Sequence, residues 1–320
     1  EYDSVGHVAV GDAGIIYLAG VTRGSLRGVN AGGVDGFVRA LDRDGRELWT
    51  TQFGTSDLDS VESMAVDVAG VIYVAGYIDR SVGGQNASGQ DGFLRALDRD
   101  GRELWTAEVD TSEFGDVVSL AVDDAGFIYV GGNTWDTLGD QDGFVGALDR
   151  DGRELWTTQV GTSEFDDVMS VAVDDAGVIY AAGFTYGSLG GMNAGDADGF
   201  VRALDRDGRE LWTAQFGTSE YDSVGHMAVG DAGVIFVAGD TEGSLAGVDP
   251  GILGSFVRAL DRDGRELWTT QIGTSARDTI ESVTVDAAGR VYVAGVTGGS
   301  LGSANAGFQD GFVHRILPKE

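Results

Sequence analysis

Five aspartates recur at one place in a repeating pattern: Asp3, Asp59, Asp166, Asp222 and Asp278. Tyr2, Leu58, Phe165, Tyr221 and Arg277 precede them; in a further copy Phe114 and Gly115 stand there, and Asp116 follows. Carboxylates gathered at one mouth suit Ca2+, a hard cation that takes several oxygens in flexible geometry. These five are therefore the candidate metal ligands, and Ca2+ the candidate cofactor. Asp and Ser at a strand entry also bond nearby backbone amides, and no complete calcium-loop pattern accompanies them, so a structural role competes. Asp42-Arg43-Asp44-Gly45 and its copies fail the calcium test outright. A calcium loop continues with further ligands and a distant Glu, whereas strand-forming residues follow here at once.

The same entries supply aromatic rings. Tyr2, Phe114, Phe165 and Tyr221, with Trp135 and Tyr186 in segments that vary from copy to copy, are the candidate ligand-binding residues. Such rings can stack on sugars. Trp135, in the shortest of these segments, equally suits filling the gap a short loop leaves. Catalysis is poorly marked. The three histidines are His7, His226 and His314, and the first two occupy equivalent strand positions where serine stands in other copies. Buried there, they read as hydrogen-bonded structural groups. No carboxylate pair stands out as acid and base, no nucleophile is marked, and the many glycines form no phosphate loop.

Charge narrows the partners. The net charge is −31, with 52 Asp and Glu against 21 Lys and Arg. Such a field repels nucleic acid and anionic membrane and favours cations, basic partners or neutral ligands. There is no Cys, which excludes disulfides and thiolate chemistry. No apolar run is long enough to span a membrane. The opening Glu1-Tyr2-Asp3-Ser4-Val5 matches Glu220-Tyr221-Asp222-Ser223-Val224, so the chain reads as a mature or excised fragment.

What positions these residues is a repeat. ALDRDGRELWT occurs verbatim five times, from Ala40, Ala96, Ala147, Ala203 and Ala259. Its tryptophans are Trp49, Trp105, Trp156, Trp212 and Trp268. A second marker, typified by Val71-Ile72-Tyr73-Val74-Ala75-Gly76, occurs six times, giving six units whose last lacks ELWT. Each reads as four short strands rich in Val, Ile, Tyr, Phe and Trp and bounded by Gly, Asp and Ser. Strands apolar on both sides are buried on both faces. Repetition of such units predicts an all-β, six-bladed β-propeller of mostly four-stranded antiparallel blades. The blades fall at 3–53, 59–109, 115–160, 166–216, 222–272 and 278–317 of a single domain, the sixth lacking its outer strand. Asp-Gly in ALDRDGRELWT is a hairpin turn, and every blade's need for that hairpin explains the constancy.

The pattern Asp91-Gly92-Phe93, Leu97-Asp98, Asp100-Gly101, Trp105, Ala121-Val122-Asp123, Gly126, Ile128-Tyr129 and Gly132 resembles the bacterial β-propeller repeat (SBBP-type) family, six times over. Gly254-Ser255-Phe256 departs from Asp-Gly-Phe in the fifth unit. The resemblance implies a secreted or cell-surface protein of a bacterium or archaeon and carries no catalytic residues. Binding residues sit on loops held by a rigid scaffold, and the long loops after each second strand vary most. The expected function is a non-catalytic, monomeric, extracellular binding or scaffold module that presents this loop face to a glycan, protein or surface. The alternatives are a carbohydrate-active enzyme using carboxylates at the channel mouth, and a symmetric repeat scaffold without a ligand.

Overall fold

The computed structural model describes all residues except 1, 12–13, 80–89, 110–114, 135–140, 231–232, 248–252, 303 and 318–320. The chain is an all-β, six-bladed β-propeller, and no α-helix occurs among the described residues. It forms two compact units, Glu1–Thr137 with Gly143–Thr158, and Leu138–Asp142 with Gln159–Glu320.

In the first unit, blade 1 is β1 (Asp3–Val10), β2 (Ile16–Thr22), β3 (Asp35–Leu41) and β4 (Glu47–Phe53). Blade 2 is β5 (Asp59–Val66), β6 (Ile72–Asp79), β7 (Gln90–Leu97) and β8 (Glu103–Val109); blade 3 is β9 (Gly115–Val122), β10 (Ile128–Thr134), β11 (Asp142–Leu148) and β12 (Glu154–Val160). In the second unit, blade 4 is β13 (Asp166–Val173), β14 (Ile179–Thr185), β15 (Asp198–Leu204) and β16 (Glu210–Phe216). Blade 5 is β17 (Asp222–Val229), β18 (Ile235–Thr241), β19 (Gly254–Leu260) and β20 (Glu266–Ile272). Blade 6 has three strands, β21 (Asp278–Val285), β22 (Val291–Thr297) and β23 (Asp310–Ile316), as the missing ELWT segment predicts. Neighbouring strands pair antiparallel in chain order. A single parallel bridge, Asp91 to Gly115, ties blade 2 to blade 3.

The core lies between blades. Tyr17, Ala19, Val38 and Ala40 of blade 1 pack on Val61, Ile72, Val74, Phe93 and Leu97 of blade 2. Tyr180, Ala182, Val201 and Ala203 of blade 4 meet Val224, Ile235, Val237, Phe256 and Leu260 of blade 5 in the same way. The run VIYVAG of β6 thus buries both faces, Ile72 and Val74 on blade 1 and Tyr73 and Ala75 on blade 3, and has no polar alternation.

The repeated eleven residues do make a hairpin. Asp98 Oδ1 accepts the amides of Asp100 and Arg102 at 2.9 and 2.8 Å, and Gly101 takes φ of 77°. But the hairpin alone is an incomplete explanation of their constancy. Trp49 Nε1 donates to the Arg99 carbonyl of the next blade's turn at 2.9 Å, and Thr51 Oγ1 donates to the Gly101 carbonyl at 2.6 Å. Trp105 and Trp212 repeat the bond with Arg150 and Arg262. The turn glycine lies flat on the indole: a Cβ on Gly101, Gly152 or Gly264 would stand 2.6–2.8 Å from Trp49, Trp105 or Trp212. In blades 4 and 5 the Arg262 guanidinium also pairs with the buried Asp174 carboxylate, which accepts from Tyr180 Oη at 3.2 Å. The copy from Ala96 therefore serves as both key and lock, receiving Trp49 at its turn and sending Trp105 to the next. The second leucine of the segment does not pack: a bulge between Ala40 and Leu41 in the β3–β4 ladder turns Leu48 outward, half exposed.

Gly45 separates backbone strain from blade contact. It shares the positive φ but has nothing within 4 Å of its would-be Cβ. Gly45→Ala is expected to cost about 1 kcal/mol. Gly264→Ala, whose Cβ would meet Trp212, should cost about 2 kcal/mol more, read from urea denaturation of both variants.

Candidate functional site

In blades 1, 4, 5 and 6 the residue before the first strand and the loop after the second strand are joined by one backbone bond. Tyr186 N donates to the Phe165 carbonyl at 3.0 Å, Glu242 N to Tyr221 at 2.9 Å, and Arg23 N to Tyr2 at 2.9 Å. Residues far apart in sequence are thereby fixed side by side. The long loops are also built rather than loose. Asn193 Nδ2 donates to the carbonyls of Tyr186 and Asp196, and Gln215 Oε1 accepts the Leu189 amide at 2.8 Å. Their repeated Asn and the outer-strand Gln form this frame, so loop drift is confined to the residues between.

In blades 4 and 5 the frame gathers an aromatic patch. Phe165 stacks on Phe184 with centroids 5.7 Å apart and meets Tyr186 edge-on at 6.0 Å. Phe184 also meets Tyr186 at 6.2 Å and Tyr221 at 5.8 Å. Three predicted ligand residues, Phe165, Tyr186 and Tyr221, come together here. Tyr186 is the most open of the four, 39% exposed. Phe184 was missed because it reads as one more apolar strand residue. Its signal was positional: Val21, Tyr77, Asn133, Phe184, Asp240 and Val296 share one variable place in the repeat. Tyr2 is exposed in the first unit, with the Arg23 guanidinium 5.9 Å from its ring centre. Phe114 and Trp135 lie outside the described residues.

A polar centre adjoins the patch in the second unit. Asp240 faces Ser255 across the β18–β19 ladder, and Ser255 Oγ donates to Asp240 Oδ1 at 3.2 Å. The departure Gly254-Ser255 thus supplies the hydroxyl that the other blades' glycine cannot. Burial pushes the Asp240 carboxyl up to about 6; Glu281 adds to the shift, and Ser255 and Arg277 oppose it. Burial also raises Tyr221, with the charges of Asp240 and Asp167 nearby, and raises Tyr186 beside Asp196. His226 is lowered by burial against the pull of Glu281. Glu281 itself is the residue that the β21–β22 register skips between Ile280 and Ser282; bulges of this kind re-aim a side chain. Arg277, Thr279, Glu281, Val296 and Phe308 line a cavity of about 600 Å³ beside it.

The aspartates proposed as a calcium ring each close their own link. Asp59 accepts Thr55 N at 2.7 Å; Asp166 accepts Thr162 N at 2.6 Å and Oγ1 at 2.8 Å. Asp222 accepts Thr218 N at 2.5 Å and Asp278 accepts Thr274 N at 2.5 Å, while Asp3 takes the Thr22 hydroxyl. The amides of Asp59, Asp166, Asp222 and Asp278 bond the preceding blade, as Asp222 N does to Ala197 O at 2.8 Å. Among the described residues no three His, Cys, Asp or Glu gather as a metal would need. The geometry favours strand-entry caps. Of the histidines, half-buried His7 is lowered by burial against the pull of Glu62.

A family model described as "Outer membrane protein assembly factor BamB" matches residues 90–251, and one described as "Beta-propeller repeat" matches 267–302. The first match spans half of the chain, so the chain belongs to the family of that model, and the second likens one of its repeats to the β-propeller repeat. The chain is 27% identical to "Regulatory protein FlaEY" of Caulobacter vibrioides, over 93% of this chain and 36% of that protein. The chain thus spans about a third of the length of this curated relative. A Dyadobacter fermentans protein of unknown function superposes with TM-score 0.57 at 14% identity, covering 98% of this chain and 94% of that one. The β-propeller domain of the Trilobed protease of Pyrococcus furiosus, described as having an open velcro topology, gives 0.54 at 7%, covering 92% and 79%. The Neurospora crassa Pan2 WD40 domain gives 0.53 at 12%, covering 91% and 75%. These likenesses show the fold. No helix among the described residues is long and apolar enough to cross a membrane.

Two outcomes follow. The Asp240 carboxyl has a folded pKa above its unfolded value of about 3.9, so its contribution to stability is fully present below that value and is lost as pH rises through about 6. Asp240→Asn should match the wild type near about pH 4 and exceed it by on the order of 2 kcal/mol at about pH 7.5, in urea denaturation at each pH. Ca2+ and Mg2+ at equal ionic strength should raise Tm equally after EDTA treatment, by screening alone; a Ca2+-specific rise would restore the metal reading of the five aspartates.

Proposed function

We propose that this protein is a non-catalytic extracellular binding or scaffold module that engages its partner through the loop face of blades 4 and 5. One observation carries the reading: Phe165, Phe184, Tyr186 and Tyr221 form a contiguous patch held by hydrogen-bonded loops. Aromatic residues on a rigid frame supply contact area at low entropic cost. In a repeat this regular, no other blade needs that patch to fold. The fold's wide use for display, and the regulatory label of the 27% relative, agree with a binding role. Placement outside the cell rests on the resemblance to secreted repeat proteins, with which the acidic composition agrees.

A carbohydrate-active enzyme remains the second reading, favoured by Asp240, whose raised carboxyl beside Glu281 and the cavity is the kind of group an acid catalyst needs. Probing the chain with cellohexaose, chitohexaose, an acidic octapeptide and a basic octapeptide separates the two. The expected result is binding of at least one probe, weakened about fivefold by Tyr186→Ala, with no bond cleaved. Sugar release abolished by Asp240→Asn would establish the enzyme instead.

A further inference from the structure

We infer that the aromatic patch of blades 4 and 5 receives the cationic side chain of a basic protein partner. This rests on the binding-module reading and names the partner's chemistry.

The chain already contains the interaction. In blade 1 the Arg23 guanidinium lies 5.9 Å from the centre of the Tyr2 ring, and the bond from Arg23 N to Tyr2 O sets the two side by side. Phe165 and Tyr221 occupy the position of Tyr2, and Tyr186 and Glu242 that of Arg23, with the same backbone bond. Blade 4 therefore offers two rings where blade 1 has a ring and a cation. Blade 5 offers a ring and a carboxylate. Among the described residues no guanidinium or ammonium is placed over any of the four patch rings. The cation that completes the pairing in blade 1 is thus missing from a larger aromatic surface.

Charge agrees. No Lys or Arg occurs between Arg153 and Arg202, or between Arg209 and Arg258, the two segments that build the patch. Glu164, Asp196, Glu220 and Glu242 stand exposed in the same links and loops, and Asp167 and Asp240 lie beneath. Aromatic faces attract Lys, Arg and quaternary ammonium groups, more strongly when water is excluded, and a one-signed field raises the capture rate of the opposite charge. A neutral sugar would use the rings and leave this acidity without a role. Nucleic acid and anionic lipid are repelled by it.

The test uses the full chain with fluorescein-labelled octa-arginine, octa-lysine and octa-glutamate at low salt, followed by anisotropy. Both basic peptides should bind and octa-glutamate should not. Tyr186→Ala should weaken binding about fivefold, while Tyr186→Phe, which keeps the ring and drops the hydroxyl, stays within about twofold. Asp196→Asn should weaken it, and Asp207→Asn, an equal loss of charge on an exposed hairpin turn, should not. Unchanged melting of each variant secures the comparison, and Asp196→Asn stands in if Tyr186→Ala does not fold. Equal binding by wild type and Tyr186→Ala, or equal losses in Asp196→Asn and Asp207→Asn, would reduce the effect to general attraction by −31 charges and overturn the inference. Binding of cellohexaose at Tyr186 with no peptide binding would overturn the cationic partner and leave the module reading standing. Loss of every probe would sink both.

Discussion

The contact between a tryptophan and the glycine turn of the following blade is the constraint on which the structure depends. Trp49, Trp105 and Trp212 each need the next blade to approach within contact of a bare Cα and to present a carbonyl at hydrogen-bond distance. Only glycine satisfies both the positive φ and the close approach. The neighbouring Arg and Asp residues are held for the same reason: Arg262 crosses to Asp174, and Asp261 Oδ1 shapes the turn that carries it. A blade that changed this segment would lose its grip on its neighbour as well as its own hairpin. The copy from Ala96 is read twice, once by its own blade and once by the one before: Trp49 bonds its turn and its own Trp105 bonds the next.

That strictness frees other positions. The residue before the last one of each second strand is one place where the chain varies from blade to blade, and so is the residue at each inner-strand bulge. Both sit beside the links, away from the tryptophan contact. In the second unit these free positions hold Phe184, Asp240 and Glu281, and the fifth blade adds Ser255 to bond Asp240. Two departures from the repeat that bond one another are better explained by use than by drift. They also share a cost. A buried carboxyl is retained where Val or Phe would pack, which is the pattern expected where function competes with stability.

Much of the fold was legible in the chain. Six apolar runs, five tryptophan hairpins and turn chemistry at fixed offsets specify strands, their order and the truncated sixth blade, because these depend on local propensity and on period. The strand-entry aspartates were legible as a set but ambiguous as chemistry. One carboxylate looks the same in sequence whether it awaits a cation or accepts its neighbour's amide, and only the structure shows the bonds from the Thr55, Thr162, Thr218 and Thr274 amides. The constancy of ALDRDGRELWT was likewise visible, while the role of its tryptophan as a lock for the next blade required two blades to be seen together.

The sequence by itself determined the repeat, the acidity of the loops and the absence of Lys and Arg in the segments around Tyr186 and Tyr221. Tertiary structure alone decided which of the variable residues meet. Phe165 and Tyr186 are joined by one backbone bond between a link and a loop, and Asp240 and Ser255 by strand register. Neither neighbourhood follows from spacing along the chain, because a sheet brings together residues by ladder position and not by distance in sequence.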